Sequence, residues 1–155
     1  MKRLLTAFII MMVLMAGQAM AAGSSNTVTL DHYPNENLKV VTFTWVGDSV
    51  TGLPPDTTTS TAQSAEIAGW YAFMAITNPG GTAPLDNYDI VINDADGVDI
   101  FGGKLMNRDT TASEQAVPLV GFAYMGRTVT GAITMVMTNQ TNVSATGTVQ
   151  LFFSK

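Results

Sequence analysis

The chain has 155 residues, seven basic against twelve acidic side chains, a net charge of −5 at neutral pH and no cysteine. An acidic chain without a basic stripe is repelled by phosphate backbones, which excludes nucleic acid as a partner; without cysteine there is no disulfide framework, thiolate metal site or lipid-anchored lipoprotein. Only 12% of residues are charged, and the abundance of Thr, Gly, Ala and Val suits an exported all-β domain better than a helical cytosolic one.

The first segment reads as a targeting sequence. Lys2 and Arg3 open it, Leu4 to Gly17 carry no charge, and Ala19-Met20-Ala21 places small residues where a signal peptidase cuts. These are the three parts of a secretory signal peptide. The apolar block falls short of the roughly 20 residues that span a bilayer. Residues 1–21 are therefore expected to be a cleaved signal peptide, and residues 22–155 one exported domain, periplasmic or extracellular, with no stable membrane anchor. Removing Lys2 and Arg3 leaves five basic residues against twelve acidic ones, a net charge of −7.

Period-two alternation dominates the remainder. "NTVTLDHY" sets Val28 and Leu30 on one face, and "LKVVTFTWV" sets Val41, Phe43 and Trp45 against Val40, Thr42 and Thr44, as in half-buried strands. Residues 47–64, rich in Thr, Ser, Pro and Asp, read as an exposed loop with room for a short edge strand. "EIAGWYAFMAIT", residues 66–77, reads as a strand from its aromatic and small residues and its stop at "NPGG". "NYDIVIND", the turn "DADG" and "VDIFGG" form the clearest hairpin, and a helical turn is expected near Leu105 to Arg108. "AVPLVGFAYM", "GAITMVMTN" and "GTVQLFFS" supply the last strands. The expected fold is all-β, a single antiparallel β-sandwich, jelly-roll or Ig-like, of seven to eight strands.

"VGDSVTG" sets Ser49 where many lipases and esterases keep a nucleophile. A serine nucleophile needs a histidine base, and the chain has one histidine, His32, upstream rather than in a C-terminal Asp-x-x-His. Gly47-Asp48-Ser49 therefore reads as a turn, and no catalytic residue is assigned. A lone histidine is also a poor metal site. Asp86, Asp89, Asp94, Asp96 and Asp99 crowd one segment, but an EF-hand register fails, because it would start at Ile92 and end at Gly103. For Asp94, Asp96 and Asp99 two readings stand: carboxylates bonding turn amides around a positive-φ Gly97, or calcium ligands. No cofactor or metal is assigned. Asn139-Gln140-Thr141 and Asn142-Val143-Ser144 match the glycosylation pattern by coincidence. Trp45, or Trp70 with Tyr71, could stack on a sugar, although at strand spacing such residues are usually core.

"LKVVTFTWVGDSVTG", "ITNPGGTAPLDNYDIVINDADGVDIFGGKLMNRDTTASEQAVP", "GAITMVMTN" and "TGTVQLFFSK" resemble, in order, a group of small proteins encoded by tailed bacteriophages and prophages, over roughly residues 38–155. That resemblance implies a compact β domain and a virion-associated structural protein without enzymatic activity. Since tailed-phage particles assemble in the cytoplasm, the signal peptide also leaves open a role at the host envelope. The reading is a non-enzymatic phage or prophage structural or surface accessory protein whose partners are other virion or cell-envelope proteins, with homo-oligomerisation left open. The alternative is an exported binding module for a cell-surface glycan or calcium.

Overall fold

The computed structural model describes residues 23–34 and 37–155, so the expected signal peptide, residues 1–21, lies outside the described residues. Six strands of five or more residues carry the architecture: β1 (Ser25–Tyr33), β2 (Leu38–Val46), β4 (Tyr71–Pro79), β5 (Asp89–Asn93), β10 (Thr134–Thr138) and β11 (Thr146–Ser154). Five pieces of two or three residues join them: β3 (Thr57–Thr58), β6 (Glu114–Ala116), β7 (Leu119–Val120), β8 (Ala123–Tyr124) and β9 (Arg127–Thr128). The larger sheet has the order β1-β2-β11-β4-β6, with β9 also on β4; β3-β10-β5 form a second sheet and β7-β8 a separate hairpin. Every pairing is antiparallel. The fold is thus all-β, in open sheets, with more and shorter strands than the seven or eight expected.

Alternation in the sequence becomes rows of side chains across the larger sheet. Leu30, Val41, Leu151, Ala75 and Ala116 lie in one row, and Val28, Phe43, Val149 and Thr77 in the next. Cross-strand neighbours on one face stand about 5 Å apart, so each row packs as a unit. Val41, Phe43, Val149 and Leu151 are fully buried. From the second sheet Ile90 and Ile92 on β5, opposite Met137 and Met135 on β10, join the same contiguous core. Each such side chain contributes roughly 1.5–3 kcal/mol by leaving water.

Two elements depart from the expectation. The loop of residues 47–64 ends in a helix, α1 (Thr61–Ile67). Ser60 caps it: its side chain accepts from the Gln63 amide at 3.3 Å, and the Gln63 side chain accepts from the Ser60 amide at 2.8 Å, which satisfies two orphan donors reciprocally. Glu66 and Ile67, expected in a strand, belong to this helix, and the strand begins at Tyr71 after Gly69 turns the chain at φ 79°. The second arm of the expected hairpin also fails to extend. Residue Asp99 bridges Asn93, and Ile100 donates to the Ile92 carbonyl. Beyond that the Asp99 carboxylate accepts from the amides of Phe101 at 2.9 Å and Gly103 at 2.6 Å, curling the chain into successive turns. These turns precede Leu105 to Arg108, where the sequence suggested a helical turn, and Arg108 instead forms a bridge with Tyr88.

Helix α1 also closes one end of the core with a buried cation. Lys39 on β2 is 4% exposed. Its ammonium donates to the Glu66 carboxylate at 2.6 Å and the Glu66 carbonyl at 2.5 Å, and lies 4.5 Å over the Trp70 ring. A buried ammonium needs such partners. The Lys39 ammonium holds the Glu66 carboxyl below its usual pKa. Asp48 and Asp109 are lowered as well, by the amides of Thr51 and Val50 and by those of Ala112 and Thr111 respectively.

These three groups bind protons less readily folded than unfolded, so their stabilisation is present above the unfolded values near about 4 and is lost as pH falls through the lower folded values. Thermal melts from pH 7 to pH 2 should show a flat melting temperature down to about pH 5 and a decline below about 4. Glu66→Gln should lower the neutral value and make the acid limb shallower; an unchanged acid limb would exclude Glu66 as a contributor.

Candidate functional site

Sequence alone offered Ser49, His32, the acidic cluster and the aromatic pairs, and the structure separates or occupies each of them. His32 pairs with Lys39 at one end of β2, whereas Ser49 follows Val46 at the other. The seven intervening steps span about 23 Å, so the histidine cannot reach the serine hydroxyl. The Gly47-Asp48-Ser49 segment is a turn: Asp48 Oδ1 accepts from the amides of Val50 and Thr51, both at 2.8 Å, the Asx geometry expected of Asp there.

In the acidic cluster three carboxylates, those of Asp89, Asp94 and Asp99, are likewise committed to backbone amides. Asp94 Oδ1 accepts from the amides of Asp96 and Val98 at 3.0 and 2.9 Å, and Gly97 has φ 78°. Asp99 holds the following turns, while Asp89 accepts from the Asn107 amide at 2.8 Å and from the Asn139 side chain. The turn reading therefore accounts for Asp94 and Asp99, and Asp96 contributes its amide. Among the described residues no three His, Asp or Glu side chains gather as a metal site. Trp45 and Trp70 are 1% and 8% exposed, so neither offers a free face for a sugar; Tyr71 is exposed on its own.

The surface feature that stands out lies in "AVPLVGFAYM", which the sequence reading gives as one of the last strands. Strand β6 pairs with β4 at Thr77 to Ala75, and β9 pairs with β4 at Ala72 and Tyr71. Both run antiparallel to β4, so they are two pieces of one broken edge strand. At the break β4 itself is irregular: Phe152 pairs with Met74 and Phe153 with Ala72, leaving Phe73 unmatched. Such a bulge ends regular pairing at an edge and redirects the chain. Residues 117–126 leave the sheet here and fold back as the β7-β8 hairpin.

The hairpin is held at its base and bare at its tip. The Leu119 amide donates to the Phe101 carbonyl at 3.2 Å, and the Met125 amide to the Pro118 carbonyl at 3.1 Å. Gly102, at φ 59°, lets the Leu119 carbonyl approach to where a Cβ would stand only 2.3 Å away. Gly121, at φ 62°, takes the first position of the two-residue turn, which that turn class reserves for glycine. Phe122 follows it with full exposure, 105% of the reference value, and Tyr124 and Met125 are 66% and 53% exposed. With Val120, 40% exposed, they give the hairpin apolar side chains on both of its faces and at its turn, a concentration of exposed apolar groups of the kind that marks an interaction surface.

Beside the hairpin lies a groove of about 370 Å³ lined by Lys104, Arg108, Gln115, Ala116, Val117 and Tyr124. The Lys104 ammonium sits 5.3 Å over the Tyr124 ring. Arg108 donates from Nε and Nη2 to the Met106 carbonyl at 3.2 and 2.9 Å, and its Nη1 lies 3.5 Å from Glu114. Glu114 in turn accepts from the Asp109 amide at 2.7 Å, which fixes the arginine wall of the groove. Among the described residues no helix is long and apolar enough to cross a membrane. Set against known families, curated proteins and solved structures, the chain matches none of them.

Proposed function

We propose that the chain is an exported, non-enzymatic β-domain that works through protein–protein contacts, as a phage or prophage structural or surface accessory protein. In this reading the larger and smaller sheets are the two layers of a sandwich, consistent with the single core to which both contribute. The observation that carries it is Phe122, displayed in full on a hairpin whose base is bonded to the domain. An exposed aromatic on a braced support loses little freedom when a partner covers it, which is the profile of an interface anchor. The catalytic reading loses support from the separation of Ser49 and His32, and the resemblance of residues 38–155 to small phage-encoded proteins supplies the biological setting.

Mass spectrometry of purified particles and of washed host envelopes tests the reading. The chain should appear in one of the two, beginning at Ala22, and Phe122→Asp should deplete it there. Recovery only as free protein, in wild type and variant alike, would sink the proposal.

A further inference from the structure

We propose that the groove at the base of the hairpin receives a carboxylate of the partner, so that the surface selects an extended acidic segment with an apolar side chain close by. This inference rests on the reading of the hairpin as a protein-contact element and names the chemistry of what it contacts.

Charge distribution carries the inference. Among the described residues Lys39, Arg108 and Arg127 each have a carboxylate partner, Glu66, Glu114 and Asp94 respectively. Neither Lys104 nor Lys155 has one; Lys155 stands 5.9 Å over the Trp70 ring, whereas Lys104 lines the groove and stands over the face of Tyr124. In a chain of net charge −5, an uncompensated ammonium next to a second cation, Arg108, makes a local site for a negative group. Both walls are partly withdrawn from water, which strengthens an ion pair relative to one on the open surface.

The surroundings narrow the class. Tyr124 and Val117 give the groove an apolar side, and the fully exposed Phe122 stands two residues from Tyr124 at the turn of the same hairpin. A free phosphate or an acidic saccharide would use the cations and leave the tip uncovered. An anionic bilayer would cover the tip but repel the acidic chain, and the single lysine at this groove is far from the several basic residues such binding uses. A polypeptide with Asp or Glu beside Phe or Leu uses both halves, and the groove has room for side chains rather than for a large ligand.

The test uses the purified full domain and a panel of extended peptides carrying one Asp or Glu within a few residues of Phe or Leu. Matched peptides have Lys in place of the acid; inorganic phosphate and phosphatidylglycerol vesicles serve as the other probes. Acidic–apolar peptides should bind, shift the amide resonances of Lys104 and Gln115 to Val117, and weaken as salt rises. Lys104→Met, which keeps the aliphatic stem, should lose about tenfold in affinity and flatten the salt dependence. Lys104→Glu should lose more. Equal binding of the Lys-substituted peptides, binding of phosphate or vesicles alone, no binding by any probe, or an unaffected Lys104→Met would each overturn the inference.

The same variants separate it from the reading beneath it. Should Phe122→Asp release the chain from particles or envelopes while both Lys104 variants remain attached, the contact role stands and the acidic-partner inference falls. Should none of the three variants change attachment, both fall.

Discussion

Gln140→Ala is expected to destabilise the domain by about 3–5 kcal/mol, a fall of roughly 10–15 °C in melting temperature for a chain of this size. The residue is fully buried. Its amide uses all four of its bonding positions: Oε1 accepts from the amides of Leu85 at 2.7 Å and Asn142 at 3.1 Å, and Nε2 donates to the carbonyls of Gly52 at 2.8 Å and Asn142 at 2.6 Å. One side chain thus ties together the loop after β2, the loop before β5 and the loop before β11. Truncation leaves four backbone groups without their partner, each costing about 1–3 kcal/mol where water cannot reach. Gln140→Glu is the sharper variant, because it keeps the shape while turning two donors into an acceptor that faces carbonyls. Chemical denaturation of both variants provides the measurement; a loss below about 1 kcal/mol would mean that water replaces the amide freely.

Gly147→Val is expected to be comparably severe, and for a steric reason. Gly147 pairs with Trp45 across β11 and β2, and the indole lies over the glycine. A Cβ there would stand 2.7 and 2.9 Å from the Cζ2 and Cε2 atoms of Trp45 and 3.0 Å from the Asn78 carbonyl oxygen. Trp45 is itself buried and packed against Tyr88 at 6.1 Å between ring centroids, so the indole can make room only by leaving its core position. Overpacking a close-packed core costs about 1–3 kcal/mol per intrusion, and valine adds more than one methyl. The variant should melt lower and show red-shifted tryptophan emission as the Trp45 ring is displaced. Pairing it with Trp45→Leu should return part of the loss, the coupling expected of two residues in contact.

What could be read from the sequence follows the length of each element. The nine-residue strands β1, β2 and β11 declare themselves by alternation, and the core face of Val41, Phe43 and Trp45 was placed correctly from that pattern alone. The turn at Asp94 and Gly97 was legible because its chemistry is local. Helix α1 was missed because seven residues give too short a window for helical periodicity, although Ser60 followed three residues on by Gln63 is a capping signal that could have found it. Lys39 and Gln140 look like ordinary polar surface until Glu66 and three loops are brought to them from distant parts of the chain. The candidate contact surface was hidden for the same reason. "PLVGFAYM" is apolar enough to pass for a buried strand, and only the broken edge strand beside the Phe73 bulge turns it outward.

Binding of the purified domain to isolated particles or envelopes, wild type against Phe122→Asp, tests the central claim most directly when thermal melts of both proteins accompany it. The account predicts equal melting temperatures, since Phe122 contributes nothing to the core, and at least about 30-fold weaker binding by the variant, the loss of one interface anchor of about 2 kcal/mol. Equal binding by the two proteins would contradict it.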